Sequence, residues 1–106
     1  MPHLTTHVLD AASGSPAPGI PLTLTAPDGS VLARAETDAD GRAGLGPDVL
    51  APGDYTLRFD TRGYFDARGT AAFYPFVSVT FTVADERHYH VPILLSPFAY
   101  STYRGS

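Results

Sequence analysis

Glycine and proline recur along the whole chain, ten of each in 106 residues, and the longest stretch free of both runs only from Phe76 to Val91. Proline breaks a helix interior, and glycine weakens one by about 1 kcal/mol relative to alanine. A chain punctuated this often is confined to short elements joined by turns. The runs between the punctuation alternate and are rich in β-branched and aromatic residues, so they read as strands. Leu4 to Asp10 is the first. Ile20 to Ala26 and Val31 to Thr37 form a hairpin across Pro27-Asp28-Gly29-Ser30. The turn Asp38-Ala39-Asp40-Gly41 leads into a short strand, Arg42 to Leu45. Asp54 to Asp60, Phe76 to Val83, His88 to Leu95 and Ala99 to Tyr103 complete the set. Gly14 to Gly19 and Pro47 to Gly53 read as loops, and Thr61 to Pro75 leaves room for a short helix near Asp66 to Phe73. About eight short strands with frequent turns predict an all-β sandwich or small barrel.

A chain of this length makes one domain, residues 1–106, with a modest core, and leaves much apolar surface exposed unless copies associate. The hydrophobic content of 43% and charged content of 17% are those of an ordinary globular protein rather than a disordered one. The net charge is -4 and no basic stripe is present, so nucleic acid is not an expected partner. Cysteine is absent. Disulfides and thiolate chemistry are therefore excluded, which suits the cytoplasm. Met1-Pro2-His3-Leu4 lacks the charged, apolar character of a leader, and no run approaches the roughly 18 apolar residues of a membrane span.

Strand periodicity sorts the polar residues by face. In the run from His88, the odd positions Tyr89, Val91, Ile93 and Leu95 are apolar and belong to the core, and His88 and His90 point the other way. In the first strand Thr5, His7 and Leu9 share one face, with Leu4, Thr6 and Val8 on the other. If these strands and Ala99 to Tyr103 are neighbours in one sheet, His7, His90 and Tyr103 share an outer face. Pro92 cannot donate to a ladder, so its strand is either an edge or locally irregular. His88 and His90, two residues apart, could chelate zinc with His7 or His3 as a third ligand, but no cysteine or carboxylate spacing supports such a site. Taken alone, Arg42 reads as a solvated strand start and Tyr103-Arg104-Gly105-Ser106 as a frayed end. No nucleophile elbow, phosphate loop or dinucleotide fingerprint occurs.

Leu4-Thr5-Thr6-His7-Val8-Leu9-Asp10 with Gly14-Ser15-Pro16-Ala17 is similar to the opening signature of the 5-hydroxyisourate hydrolases, the transthyretin-like branch of purine breakdown. His88-Tyr89-His90-Val91-Pro92 with Leu94-Leu95-Ser96-Pro97 resembles their second signature, and Tyr100 to Ser106 their terminal one. Phe73-Tyr74-Pro75 also fits, and the resemblance covers essentially the whole chain. It implies a transthyretin-like, or prealbumin-like, sandwich of two antiparallel sheets. It also implies a homotetramer, a dimer of dimers with sites where the dimers meet. The activity implied is hydrolysis of 5-hydroxyisourate to 2-oxo-4-hydroxy-4-carboxy-5-ureidoimidazoline in urate degradation, with no metal or organic cofactor. Two rival readings on the same architecture are a non-catalytic small-ligand carrier and a surface or adhesion module.

Carried over by motif, the resemblance assigns catalysis to His7, Arg42, His90 and Tyr103, and substrate binding to these together with Arg104, Gly105 and Ser106. His88 is not among the catalytic positions. In this scheme His7 and His90 position the water and handle protons, with the identity of the base left open. Arg42 binds the planar ring and steadies the developing oxyanion. Tyr103 hydrogen-bonds a ring oxygen, and Ser106 with its terminal carboxylate closes the pocket.

Overall fold

The structure, a computed structural model, describes residues 2–106. Within them the chain forms β1 (Leu4–Asp10), β2 (Ser15–Pro16), β3 (Pro21–Thr25), β4 (Val31–Glu36), β5 (Arg42–Leu45), β6 (Gly53–Phe59), α1 (Arg62–Asp66), β7 (Val77–Val83), β8 (Tyr89–His90), β9 (Ile93–Ser96) and β10 (Ala99–Thr102). One sheet has the order β4-β3-β6-β7, and all its pairs are antiparallel. The other is built around β1, which contacts β5 and β2 along one edge and β8 and β9 along the other, with β10 outside β9. Leu4, Val8, Leu22, Leu24, Leu57, Phe59, Ile93 and Leu95, drawn from both sheets, are buried in one core. No helix among the described residues is long and apolar enough to cross a membrane.

The β sandwich is as expected, but two of its pairings are not. β1 runs parallel to β8 and β9, so the second sheet is mixed rather than antiparallel. A parallel pair needs a long crossover, and here everything between the first strand and Tyr89 serves as that connection.

The helix also lies earlier than the sequence suggested, at Arg62–Asp66 instead of Asp66 to Phe73. Burial decides the shift: Tyr64 and Phe65 are its buried residues, and the Tyr64 hydroxyl donates to Asp10 Oδ2 at 2.8 Å. Gly69, with φ of 65°, then turns the chain out of the helix.

The run from His88 to Leu95 is broken at Val91-Pro92 into β8 and β9, so the local irregularity, not the edge position, accounts for the proline. The freed carbonyls are satisfied by threonines. Thr6 donates to the Val91 carbonyl at 2.6 Å, and Thr102 to that of Pro92 at 2.8 Å. Both hydroxyls replace the ladder bonds that the break removes.

Burial along β1 resolves which of its two mixed faces is inward: Leu4, Thr6, Val8 and Asp10 are buried, and Thr5, His7 and Leu9 are only partly so. Asp10 sits at the end of this strand. Burial alone would raise its pKa, but donation from Tyr64 and the Ser13 and Ala12 amides outweighs that and holds the carboxyl below the usual range.

Candidate active site

The outer face of the β1 sheet carries a cleft of about 510 Å³ lined by Thr5, Thr6, Asp38, Arg42, Ala43, Gly44, His88, His90 and Ser106. Register explains the grouping. His7 lies directly opposite Arg42 in the antiparallel β1–β5 pair, and Thr5 is opposite Gly44. On the other edge of β1, Thr5 is level with His90 of β8. Because Gly44 has no side chain, nothing from β5 covers Thr5 at that point.

Arg42 is delivered by the turn before it. The Asp38 carboxylate accepts the Asp40 and Arg42 amides at 2.8 and 3.0 Å, which holds its pKa down. Gly41 makes the turn with φ of 74°, and a Cβ there would come within 2.5 Å of the Val8 carbonyl. That contact and the positive φ leave room only for glycine. The same turn fixes His7, whose Nε2 lies 2.9 Å from the Asp40 carbonyl. A carbonyl can only accept, so Nε2 carries a proton and Nδ1 is the ring nitrogen left without a protein partner.

His90 is half-buried, and its Nδ1 lies 2.9 Å from the Thr5 hydroxyl. Nε2 has no hydrogen-bond partner among the described residues, yet no buried polar atom there is unsatisfied, so Nε2 is open to solvent. Burial lowers the pKa of His90, and Arg42, His7 and His88 lower it further by repelling a positive charge. The ring is therefore neutral near pH 7, with a nitrogen free to take a proton. Behind it, the Gly105 amide donates to the His90 carbonyl at 2.8 Å. A Cβ on Gly105 would fall 2.4 Å from His90 Cδ2.

Of the residues expected at the site, the structure brings Arg42, His90 and Ser106 to the cleft, sets His7 beside Arg42, and packs Gly105 against His90. Tyr103 and Arg104 lie elsewhere. Parity would keep Tyr103 on the outer face, but β10 ends at Thr102 and the chain turns. Tyr103 and Arg104 line a separate cleft of about 280 Å³ with Val79, Phe81, Tyr89 and Val91. There the Arg104 guanidinium stacks 4.4 Å over the Tyr89 ring. Arg104 thus anchors the tail whose last residue reaches the first cleft.

Six cleft residues have no role assigned from the sequence, and three of them, Thr5, His88 and Asp38, present polar side chains to it. The signal for two of them was parity, since Thr5 shares the face of His7, and His88 that of His90. Asp38 is legible only as a turn residue.

The candidate zinc ligands do not converge. His3 is buried with both nitrogens occupied, Nδ1 accepting the Leu50 amide at 2.8 Å and Nε2 donating to the Arg87 carbonyl at 2.6 Å. Among the described residues no group of three histidine, cysteine or carboxylate side chains is arranged to hold a metal ion.

A cationic fork, two imidazoles with open nitrogens and a hydroxyl can bind a flat, oxygen-rich ring and activate a water beside it. The HIUase/Transthyretin family model matches residues 4–105. The chain is 48% identical over 111 residues to the 5-hydroxyisourate hydrolase of Mus musculus, covering 97% of this chain and 94% of that one. The solved structure of Klebsiella pneumoniae 5-hydroxyisourate hydrolase superposes with a TM-score of 0.91 at 34% identity and covers 100% of both chains. Sea bream transthyretin in complex with thyroxine superposes with a TM-score of 0.89 at 32% identity, covering 96% of this chain and 93% of that one.

Proposed function

Because the chain belongs to the HIUase/Transthyretin family, we propose that its cleft is the active site of a 5-hydroxyisourate hydrolase acting in urate degradation. The observation that carries this assignment to particular residues is the neutral His90 ring, open at Nε2 and placed with Arg42 in one cleft. Hydrolysis opens the six-membered ring at a carbonyl–nitrogen bond. Water attacks the carbonyl carbon, loses a proton, and leaves negative charge on the carbonyl oxygen. His90 takes that proton at Nε2. Arg42 pairs with the oxygen, because its guanidinium stays charged and donates in a fork. His7, tied to Asp40 and open at Nδ1, orients the water or protonates the departing nitrogen. Ser106 closes one end of the cleft, and Gly105 leaves the space that the His90 ring occupies. Tyr103 and Arg104 support binding by holding the tail.

The cleft is open on its outer side, and β10 and β7 leave unpaired edges. These features support assembly into a tetramer, a dimer of dimers, whose copies cover the sites.

The direct test is ultraviolet decay of freshly prepared 5-hydroxyisourate with and without the protein. Acceleration is expected, and His90→Ala and His7→Ala should each reduce it by about 10²–10⁴-fold, the usual worth of acid–base help, while the fold persists. Saturable binding of a small aromatic compound with no turnover would instead mark a carrier of the transthyretin kind.

A further inference from the structure

We propose that Thr5 is a positioning residue that joins His88 and His90 into one proton relay, leading from the cleft to solvent. The inference rests on the hydrolase reading and extends it to a residue outside the assigned set. The Thr5 hydroxyl lies 2.9 Å from His90 Nδ1 and 2.7 Å from His88 Nε2. A hydroxyl has one proton to give. It can therefore donate to only one of the two rings, and the other must carry its own proton on the nitrogen facing Thr5. The tautomers of the two histidines are thereby linked through a single oxygen.

The arrangement that leaves His90 Nε2 bare has His90 Nδ1–H donating to Thr5, and Thr5 donating to His88 Nε2. When His90 takes the water proton at Nε2, it can release its Nδ1 proton to the Thr5 oxygen. The Thr5 proton passes to His88 Nε2, and exposed His88 gives up its Nδ1 proton to solvent. One proton enters, one leaves, and His90 is neutral again. Run backwards, the relay supplies the proton that the departing nitrogen needs.

The geometry around the rings agrees. Gly105 closes the Cδ2 side of His90 and Thr5 holds the Nδ1 side, so the ring cannot swing away from the bridge. The groups that face His90 are Arg42 and Asp38 from the β5 end, His7 and Thr5 from β1, His88 from its own run, and Ser106 from the tail. Of these, Thr5 alone bonds an imidazole nitrogen of His90, its hydroxyl lying 2.9 Å from Nδ1 and its backbone also favouring the protonated ring. By accepting from the protonated ring more strongly than from the neutral one, it favours the cation that catalysis forms.

The test compares Thr5→Val, which keeps the β-branched shape, with Thr5→Ser, which keeps the hydroxyl. Thr5→Val should lower kcat at least tenfold with KM within about twofold. It should also move the acid limb of the kcat profile to lower pH, since the protonated His90 loses its acceptor. Thr5→Ser should recover most of the rate and the native limb. Imidazole ¹⁵N resonances should show the tautomer populations of His88 and His90 changing together in Thr5→Val. Unchanged kcat and an unmoved limb in Thr5→Val, equal loss in Thr5→Ser, or His90 tautomers indifferent to Thr5 would each overturn the relay. If the native protein has no turnover, the hydrolase reading fails instead, and the resonances still decide whether the rings are coupled.

Discussion

At the scale of single residues, the chemistry turns on which nitrogens are spoken for. His3, His7 and His90 are all imidazoles on or near one sheet, yet their bonding separates them. His3 has both nitrogens committed to backbone, so it fastens the N-terminal segment to the Pro47 to Leu50 and Arg87 regions. His7 and His90 each keep one nitrogen open. Burial and the cations around it depress the pKa of His90, so the base form persists below the ordinary imidazole value of about 6.5. The expected result is an acid limb in kcat/KM that lies below that value and vanishes in His90→Ala; a limb at or above it would contradict the assignment. The sign for stability is the same. The unfolded chain binds this proton more tightly than the fold does, so the contribution is present above the unfolded pKa and is lost as pH falls through the folded one.

At the scale of elements, two glycines separate folding from chemistry. Gly41 shapes the turn that delivers Arg42, and alanine there meets the Val8 carbonyl as well as an unfavourable φ. Backbone strain of this kind is worth about 1–3 kcal/mol, so Gly41→Ala should lower the denaturation midpoint. Gly105 has no such backbone demand, and its missing Cβ makes room for the His90 ring. Gly105→Ala should cut kcat with little change in melting temperature. Calorimetry and rate measurements on both variants check the contrast, and a reversed pattern would refute it. The strands were legible because each bounded run alternates, and Arg42 and His90 were legible through their motifs. The helix was misplaced because Tyr64 and Phe65 follow core burial, which no local pattern announces. Tyr103 was misplaced because parity cannot say where a strand stops. Thr5 and Asp38 look like ordinary strand and turn residues until β8 and the Arg42 amide are set beside them. The parallel β1–β8 pair that assembles the cleft joins opposite ends of the chain, and sequence periodicity carries no information about such a pairing.

At the scale of the whole molecule, both sheets end in strands with unpaired backbone, and Phe73, Phe98, Tyr100 and Leu94 are exposed around β9 and β10. Free edges and exposed aromatics favour association. If the proposed tetramer forms, sedimentation at micromolar concentration should give a particle of four 11.3 kDa chains; a monomer that turns over at full rate would refute sites shared between copies. The strand at the centre of the molecule binds folding and activity to the same seven residues. Alternate side chains of β1 point inward to the core or toward the outer face that carries the cleft, so slipping its alignment by one position would exchange the two sets. Saturation mutagenesis of Leu4 to Asp10 should consequently read as a two-beat pattern, with substitutions at Leu4, Thr6, Val8 and Asp10 depleting soluble protein, and those at His7, or at Thr5 where the hydroxyl is lost, sparing yield while lowering turnover.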